Sequence, residues 1–330
     1  AQTFSKSKLQ YPKRAPLFLT HGQGGLVWDV DGNEYVDLVG GLLPVILGYR
    51  DPDVDAAIRA QLSKGISFSL ATDLEYKLAE KLKEIIPCAE MTRFGKNGTD
   101  VTQAAIRLAR HCTGRDGVLS SGYHGWSDTF VANDPVRNSG VPLDTASLTT
   151  NFTYGNTVQA RNLLKSGQFA CCIVEPETDR AHLDELRTAC NATGTLLIFD
   201  EIITGFRLAF RGAQHYYKVT PDLATIGKAM GNGMPISALV GKKKYMKEME
   251  NICFSGTFFG ETLSLAAALA TIEKMQRESV LTHIQILHSN LQIGVKDMQK
   301  RPELDCLRVS GRLSRIHFLD ISTAYGQFSS

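Results

Sequence analysis

Residues 196–207 read LLIFDEIITGFR, and residues 222–235 read DLATIGKAMGNGMP. Each stretch starts with a short apolar run and then turns polar, with Asp200 and Glu201 after the first run and Lys228, between glycines, after the second. Short apolar runs bounded by turn residues are typical of strands buried on both faces of a parallel sheet. Ligands of such sheets bind beyond the carboxyl ends of the strands. We therefore expect a functional site where these two runs end.

The same alternation of strands and helices continues toward the N-terminus. Residues 171–174 (CCIV), followed by Glu175, predict another buried strand, and residues 183–192 predict the amphipathic helix that follows it. Thr72 and Glu75 form a capping box at the start of a further helix, which Pro87 ends. The pattern predicts an α/β fold, in which a large domain has a mainly parallel sheet flanked by helices.

The two ends of the chain predict a smaller α+β domain. Residues 25–37 indicate a β-hairpin with an Asp-Gly turn. Residues 263–275 and 284–298 are helical in pattern, and residues 308–321 are strand-like. The predicted division is an N-terminal segment of the small domain at residues 1–60, the large domain at 61–250, and the start of the C-terminal part of the small domain, apparently incomplete, at 251–330.

Composition excludes several classes of protein. The chain has 330 residues, of which 43% are hydrophobic and 21% charged, with a net charge of +2. This balance predicts no nucleic-acid or membrane-surface partner, and the longest apolar stretch, residues 38–49, is too short and too interrupted to span a bilayer. Seven cysteines without CxxC spacing predict reduced thiols in a cytoplasmic protein. The eight dispersed histidines predict no metal site.

Two more clusters carry candidate chemistry. Residues 94–100 read FGKNGTD before a helical pattern, so Gly98 and Thr99 offer free N–H groups and a hydroxyl at a helix start, which suits a phosphate. The alternative is a plain helix cap. Residues 122–126 read GYHGW, where Tyr123 and His124 between glycines could stack on a flat heterocycle. The alternative there is ordinary loop packing.

Asp200 and Lys228 complete the set. A carboxylate at the end of a strand can keep a pyridinium nitrogen protonated, although a capping or ion-paired acid is the alternative. A desolvated lysine with a lowered pKa can form a Schiff base. A phosphate-loop NTPase is excluded because GxxxxGK[ST] is absent, and a dinucleotide-binding oxidoreductase is disfavoured because no early GxGxxG occurs. The interpretation depends on the order of these groups along the chain. The predicted phosphate site at Gly98 and Thr99, called the phosphate seat below, is followed by the aromatic ring of Tyr123, the acid Asp200 and then Lys228.

With these motifs, the chain resembles the class III (fold type I) aminotransferases that depend on pyridoxal 5′-phosphate (PLP), and within them the glutamate-1-semialdehyde 2,1-aminomutase-like group. The resemblance runs from about Gly24 to Thr271 and is most specific in residues 200–207 and 227–235. It implies a PLP cofactor and a homodimer with shared active sites. Two further segments, residues 28–33 (WDVDGN) and 107–115, add to it.

The resemblance also implies roles for single residues. Lys228 forms the Schiff base, an internal aldimine, and shuttles the proton, while Asp200 pairs with the pyridine nitrogen. The implied cofactor-binding residues are Gly98 and Thr99 on the phosphate, Tyr123 stacked on the ring with His124 beside it, and Thr257 on the phosphate of the neighbouring subunit. Glu175 and Glu201 are implied as supporting acids.

The implied activity is transfer of an amino group from an amino-acid donor, glutamate in the first place, to an aldehyde or ketone of a small polar metabolite or sugar, by ping-pong chemistry. Two alternatives stay open, namely the intramolecular aminomutase and a non-catalytic PLP-fold subunit. Residues 41–44 (GLLP) and 68–72 (FSLAT) stand where the mutases have Ser-Trp-Gly-Pro and Phe-Gly-Ala-Pro-Thr. Compared with the mutases, residues 41–44 lack an aromatic side chain and a hydroxyl on the substrate side of the implied cofactor. This difference favours the transaminase. Compared with the family, the loop after Pro176 and the C-terminal region are short, and we expect stretches absent from the recorded sequence to account for this.

Overall fold

The structure, a computed structural model, describes residue 6, residues 15–177 and 179–301, and the backbone of 307–310 and 315–318. The strands are β1 (Leu19–Gln23), β2 (Leu26–Asp29), β3 (Glu34–Val36), β4 (Met91–Gly95), β5 (Gly117–Ser121), β6 (Thr149–Asn151), β7 (Phe169–Val174), β8 (Leu196–Glu201), β9 (Leu223–Ile226), β10 (Ser237–Gly241), β11 (Leu307–Ser310) and β12 (Arg315–Phe318). The helices are α1 (Pro52–Leu62), α2 (Asp73–Ile85), α3 (Gly98–Thr113), α4 (Asp128–Val131), α5 (Leu143–Ser147), α6 (Thr157–Leu164), α7 (Arg180–Thr193), α8 (Gly212–Tyr217), α9 (Lys243–Met246), α10 (Thr262–Arg277) and α11 (Val280–Met298). Two 3₁₀ turns occupy Lys228–Gly231 and Lys247–Asn251.

A seven-stranded sheet forms the centre, in the order β4-β10-β9-β8-β7-β5-β6. Strands β9, β8, β7, β5 and β6 pair in parallel, and β10 is antiparallel to both β9 and β4. The carboxyl ends of β4, β5, β7, β8 and β9 therefore lie along one edge of the sheet. The mainly parallel sheet with flanking helices confirms the predicted fold class.

Both faces of this sheet are covered, which explains the unbroken apolar runs. In β8, Leu196 and Ile198 pack on the side of helix α3, whereas Leu197 and Phe199 pack on the side of helix α2. Side chains alternate along a strand. Asp200, two residues beyond Ile198, consequently faces the α3 side of the sheet. Glu201 faces the opposite side.

Several predicted boundaries agree with the structure. Thr72 caps α2, and its N–H donates to the Glu75 carboxylate at 3.2 Å. Strands β2 and β3 form the predicted hairpin, with Gly32 at φ +83° in its turn. One boundary was wrong, because Asp200 and Glu201 are the last residues of β8 rather than the first after it. The pairing with β9 carries the strand through both acids, with Asp200 opposite Thr225 and Glu201 opposite Ile226.

The ends of the chain add two small sheets. Strands β1, β2 and β3 form an antiparallel sheet separate from the central one, and β11 pairs with β12. Of the strand-like residues 308–321, those at 311–314 and 319–321 lie outside the described residues. The predicted domain division at residues 60 and 250 stays a prediction. No described helix is long and apolar enough to cross a membrane.

Candidate active site

The four sequence clusters meet at the carboxyl edge of the central sheet. The loop after β4 leads to Gly98, the loop after β5 carries Tyr123 and His124, β8 ends with Asp200, and Lys228 follows β9. Hydrogen bonds join these loops across long stretches of sequence. Because parallel strands bring their carboxyl ends to one edge, residues more than a hundred positions apart in the chain share this site.

The predicted phosphate seat lies at the start of α3. Asp100 Oδ2 accepts hydrogen bonds from the N–H groups of Lys96 (3.0 Å) and Asn97 (2.7 Å), which fixes the turn entering the helix. The N–H groups of Gly98 and Thr99 belong to the first turn, where no partner exists within the helix. Gly125, at φ +119°, lies so close to the Thr99 hydroxyl that a Cβ there would overlap it. The seat therefore suits an anion such as a phosphate group.

Asp200 is 4% exposed and accepts three hydrogen bonds. The Thr225 hydroxyl (2.9 Å) and the N–H of Ile202 (3.1 Å) donate to Oδ1, and His124 Nδ1 lies 2.7 Å from Oδ2. These contacts fix the positions of both carboxylate oxygens. Thr225 stands directly opposite Asp200 in the β8–β9 register, as a single hydroxyl within an apolar strand. A single hydroxyl within an apolar strand could have identified Thr225 from the sequence, but the sequence analysis assigns it no role.

His124 has a different role from the one predicted. Its side chain is buried, its Nε2 lies 3.2 Å from the Ser121 carbonyl, and its ring meets the edge of Phe130 at 5.2 Å. A ring enclosed in this way cannot stack beside Tyr123 on a ligand. The backbone carbonyl of His124 also accepts a hydrogen bond from the Thr102 hydroxyl of α3 at 2.9 Å. His124 therefore positions Asp200 and ties the loop after β5 to the phosphate seat.

Tyr123 remains available for stacking. It is 49% exposed, and the guanidinium of Arg137 lies 5.5 Å from the centre of its ring. Its N–H donates to Glu175 Oε2 at 2.9 Å. Gly122 permits this approach, because a Cβ there would lie 2.6 Å from the same carboxylate oxygen. Glu175 thus supports the loop that carries the ring.

Lys228 opens a 3₁₀ turn with φ +40°, a left-handed conformation that costs a non-glycine residue free energy. Within the part of the chain that the structure describes, no residue forms a hydrogen bond with its Nζ. Burial lowers the pKa of Lys228, while the negative charges of Asp200 and Glu175 oppose this shift. A lowered pKa leaves more of the amine neutral and nucleophilic.

Ile202 is a further residue that sequence reasoning missed. Cβ atoms placed at Gly98 and at Gly227 would contact its side chain at 3.4 and 3.0 Å. The Ile202 side chain therefore lies between the phosphate seat and the lysine turn. Its position directly after Asp200 and Glu201 is the feature of the sequence that could have identified Ile202 as a site residue.

Glu201 and Thr257 form no described hydrogen bond with the other predicted site residues. Glu201 is 1% exposed, faces the other side of the sheet, and accepts from the N–H of Ala213 at 2.5 Å and from the Thr204 hydroxyl at 3.3 Å. It stabilises the start of α8. Thr257 lies in an exposed turn before α10. Its predicted contact with a neighbouring subunit stays a prediction.

The residues present fit PLP. They provide an anion seat at Gly98 and Thr99, an aromatic ring at Tyr123, a buried acid at Asp200 and a desolvated amine at Lys228. These groups match the phosphate, the flat ring, the basic nitrogen and the aldehyde carbon of the cofactor.

Comparisons with known proteins agree with this geometry. The family model described as Aminotransferase class-III matches residues 10–325. The glutamate-1-semialdehyde 2,1-aminomutase of Desulfosudis oleivorans is 39% identical over 303 residues, which are 85% of this chain and 71% of that protein. The 3-aminobutyryl-CoA aminotransferase of Cloacimonas acidaminovorans is 39% identical over 284 residues, covering 82% of this chain and 68% of that protein.

Among solved structures, the FumI protein of Sphingopyxis sp. MTA144, in its PLP internal aldimine form, superposes with a TM-score of 0.91. It is 27% identical, and the match covers 97% of this chain and 80% of that one. The family model spans nearly the whole chain, and both relatives exceed the identity at which family membership is secure. The chain belongs to the class III aminotransferases, PLP-dependent enzymes of fold type I.

Proposed function

We propose that the chain transfers an amino group between two molecules, from an amino-acid donor to an aldehyde or ketone, with Lys228 as the residue that binds PLP covalently. The observation that carries the proposal is that Asp200 and Lys228 lie at the carboxyl ends of the paired strands β8 and β9. Burial lowers the pKa of this lysine, and Asp200 is held by three hydrogen-bond donors.

Each residue has a defined task in this proposal. Gly98 and Thr99 hold the phosphate, Tyr123 covers the ring, and Asp200 keeps the proton on the pyridine nitrogen. When the donor's amino group takes the place of Lys228 on the cofactor, the freed amine of Lys228 would accept the proton from the amino-bearing carbon of the donor and later return a proton to the acceptor. PLP, when bound, supplies the electron sink that makes this carbon acidic.

The proposed working unit is a homodimer in which Thr257 of one subunit reaches the phosphate held by the other. The exposure of Thr257, and of Phe258 at 60%, supports an interface at this turn. We also propose that residues 61–250 form the PLP-binding domain and that the chain ends build the smaller one.

For the acceptor, we propose a small polar aldehyde or ketone such as a keto-sugar, and glutamate as donor. The support comes from the segment 41–44, where Leu42 and Leu43 replace the Trp-Gly pair of the mutases. Both leucines have left-handed backbones, with φ +72° and +76°. Strained residues of this kind cluster at ligand sites, and the side chain of Leu42 leaves a wider space than the indole that it replaces.

The aminomutase is the second candidate. Relatives with that name in Desulfosudis oleivorans and Geotalea daltonii are 39% identical, the same figure as for the 3-aminobutyryl-CoA aminotransferase. Because the identities are equal, they favour neither reaction over the other. Both reactions would use the same chemistry of Lys228 and Asp200.

The test is to offer the purified holoenzyme glutamate-1-semialdehyde alone, and separately glutamate with a panel of keto- and aldehydo-sugars. We expect 2-oxoglutarate to appear only in the second assay. Rapid formation of 5-aminolevulinate without an added donor would identify the mutase instead. A holoenzyme inert in both assays would favour the non-catalytic subunit.

A further inference from the structure

Residues 40–43 form one turn of left-handed backbone, called the left-handed turn below. Their φ angles are +58° and +66° at the two glycines and +72° and +76° at Leu42 and Leu43. The N–H of Leu43 donates to the Val39 carbonyl at 2.9 Å, which closes the turn. Residues other than glycine adopt this conformation singly, because their Cβ approaches the following carbonyl oxygen. Two leucines in succession therefore need contacts from outside the turn to hold them in place.

Asp37 provides these contacts through both oxygens of its carboxylate. Oδ1 accepts from the N–H groups of Val39 at 2.8 Å and Gly40 at 3.0 Å. Oδ2 accepts from the N–H of Gly41 at 3.3 Å and from the Tyr49 hydroxyl at 2.6 Å. Burial acts to raise the pKa of Asp37, but its hydrogen bonds outweigh burial and hold the pKa below its ordinary value. Successive N–H groups that converge on one anion stabilise the turn to which they belong.

The left-handed turn is fixed against the segment that carries the catalytic amine. Nη2 of Arg207 donates to the Leu43 carbonyl at 2.6 Å. Burial lowers the pKa of Lys228, and the nearby positive charge of Arg207 adds to this shift. Asn232, which follows the 3₁₀ turn of Lys228, accepts from the N–H of Leu47 at 2.8 Å. Contacts on both sides of the lysine therefore hold the left-handed turn beside it.

We propose that Asp37 is a positioning residue that keeps the left-handed turn in place as a wall of the acceptor space, and so limits the size of the carbonyl compound that reaches the cofactor. This inference rests on the proposed transaminase function and concerns the acceptor class of the same site. Without the Asp37 contacts, Leu42 and Leu43 relax toward the backbone conformations that ordinary residues prefer. Both side chains then move, and the size limit rises.

Asp29 offers a matched control, because it holds another turn in the same way. Its Oδ1 accepts from the N–H groups of Asp31 at 3.0 Å and Asn33 at 2.9 Å. Its Oδ2 accepts from the Asn33 side chain at 3.0 Å and from the Tyr35 hydroxyl at 2.8 Å. This carboxylate therefore also combines two backbone donors with a tyrosine hydroxyl. The turn that it supports, between β2 and β3, forms no described hydrogen bond with residues 228–233.

The first test measures access to bound PLP without turnover. Methoxyamine and O-benzylhydroxylamine carry the same aminooxy group and differ in size. The aminooxy nitrogen of either reagent displaces the lysine nitrogen from the cofactor carbon, which gives an oxime and the free amine of Lys228. The absorbance change of the holoenzyme gives a rate constant for each reagent, and the ratio of the benzyl to the methyl rate constant, called the capture ratio below, reports the space at the site.

We expect Asp37→Ala to raise the capture ratio about tenfold or more, as for the loss of a hydrogen bond to a charged group. Asp37→Asn keeps one acceptor oxygen for the turn, so it should raise the ratio less. Tyr49→Phe removes one donor and leaves the carboxylate in place, and it should also have a smaller effect. These two milder variants test the proposal if Asp37→Ala does not fold.

The second test uses turnover with glutamate as the donor. Dihydroxyacetone and D-fructose are keto-sugars of three and six carbons, so they compare a small and a larger acceptor. We expect Asp37→Asn to shift the ratio of kcat/KM values toward D-fructose, mainly through a lower KM for this acceptor. No turnover by the parent enzyme with any acceptor would refute the transaminase function, whereas the capture ratio would still test Asp37.

The Asp29→Asn variant separates the proposed role from general support of a turn. Both asparagine variants should lower the thermal midpoint, because each weakens a four-donor carboxylate. Only Asp37→Asn should change the capture ratio. An unchanged ratio in well-folded Asp37→Asn and Tyr49→Phe, or an equal change in Asp29→Asn, would overturn the proposal.

Discussion

His124 Nδ1 lies 2.7 Å from Asp200 Oδ2, and both side chains are buried. The other ring nitrogen, Nε2, faces the Ser121 carbonyl oxygen at 3.2 Å. The ring is thus held between a carboxylate oxygen and a carbonyl oxygen. Asp200 therefore has a partner behind it that holds one oxygen in place while the other accepts from Thr225 and Ile202.

This contact predicts how His124 variants behave. Asparagine can place an amide N–H where Nδ1 lies, whereas phenylalanine keeps the ring and donates nothing. We expect His124→Phe to lose on the order of tenfold or more in kcat, as for the loss of a hydrogen bond to a charged group, and His124→Asn to recover part of it. The second readout is the pH dependence of the absorbance of bound PLP, which should shift in the Phe variant. Equal kcat values for the two variants and the parent would remove His124 from this role.

Lys228 should be the single site of covalent PLP attachment. Borohydride treatment of the yellow holoenzyme should fix the cofactor to the peptide containing Gly227, Lys228 and Ala229, and Lys228→Ala should abolish turnover. Since the neutral amine is the nucleophile, the lowered pKa shifts attachment to lower pH. The rate at which apoenzyme captures PLP should level off at a pH below 10.5, the ordinary value for lysine. A reduced adduct on any other lysine would contradict the assignment.

Asp200 should matter more for catalysis than for folding when only its charge is removed. Asp200→Asn keeps an acceptor for Thr225 and Ile202 but cannot hold the pyridine nitrogen protonated. We expect kcat to fall on the order of 100-fold or more, with little change in the thermal midpoint. Asp200→Ala should also destabilise the fold, by about 1–3 kcal/mol for each buried donor left unpaired. A normal rate in well-folded Asp200→Asn would exclude the proposed role.

Thr257 tests whether active sites are shared between subunits. In a hybrid of Lys228→Ala and Thr257→Ala subunits, one site combines an intact Lys228 with the partner's intact Thr257. Mixing the two inactive or impaired proteins under conditions that exchange subunits should therefore restore part of the activity. The control is Lys228→Ala mixed with itself. Full activity in a strictly monomeric preparation would contradict the arrangement.

Glu201 predicts a pH-dependent stability. Burial raises its pKa in the folded protein, despite the hydrogen bonds from Ala213 and Gln214. An acid whose pKa is higher in the folded than in the unfolded state destabilises the fold as the pH rises between the two values. Glu201→Gln keeps an acceptor and cannot ionise. Its thermal midpoint should exceed that of the parent at pH 8, and the gap should narrow toward pH 5.

The control for this measurement is Glu84→Gln, a change on the exposed face of α2. The difference in thermal midpoint between Glu84→Gln and the parent should stay nearly constant over the same pH range, because ionisation of an exposed carboxylate has little effect on the stability of the fold. A Glu201→Gln curve parallel to that of the parent would show that Glu201 is ionised without cost.

The sequence by itself determined the buried strands β7 and β8, the hairpin of β2 and β3, the start of α2 and the choice of Asp200 and Lys228 as candidate site residues. Apolar runs such as residues 171–174 and 196–199 are long enough to be buried on both faces, and a capping box at Thr72 needs only its own turn. Those signals are local, because hydrogen bonds and side-chain periodicity within one element produce them. Asp200 and Lys228 were found because each directly follows a buried run.

Only the tertiary structure decided how these side chains contact one another. Thr225 bonds to Asp200 because strands β8 and β9 pair in a particular register, and His124 turns inward because the loop after β5 is tied to α3. Arg207 donates to the carbonyl of Leu43, 164 residues earlier in the chain, because the loop before α1 packs against the turn after β8. Such contacts depend on how distant elements pack, and no local pattern of residues encodes that packing.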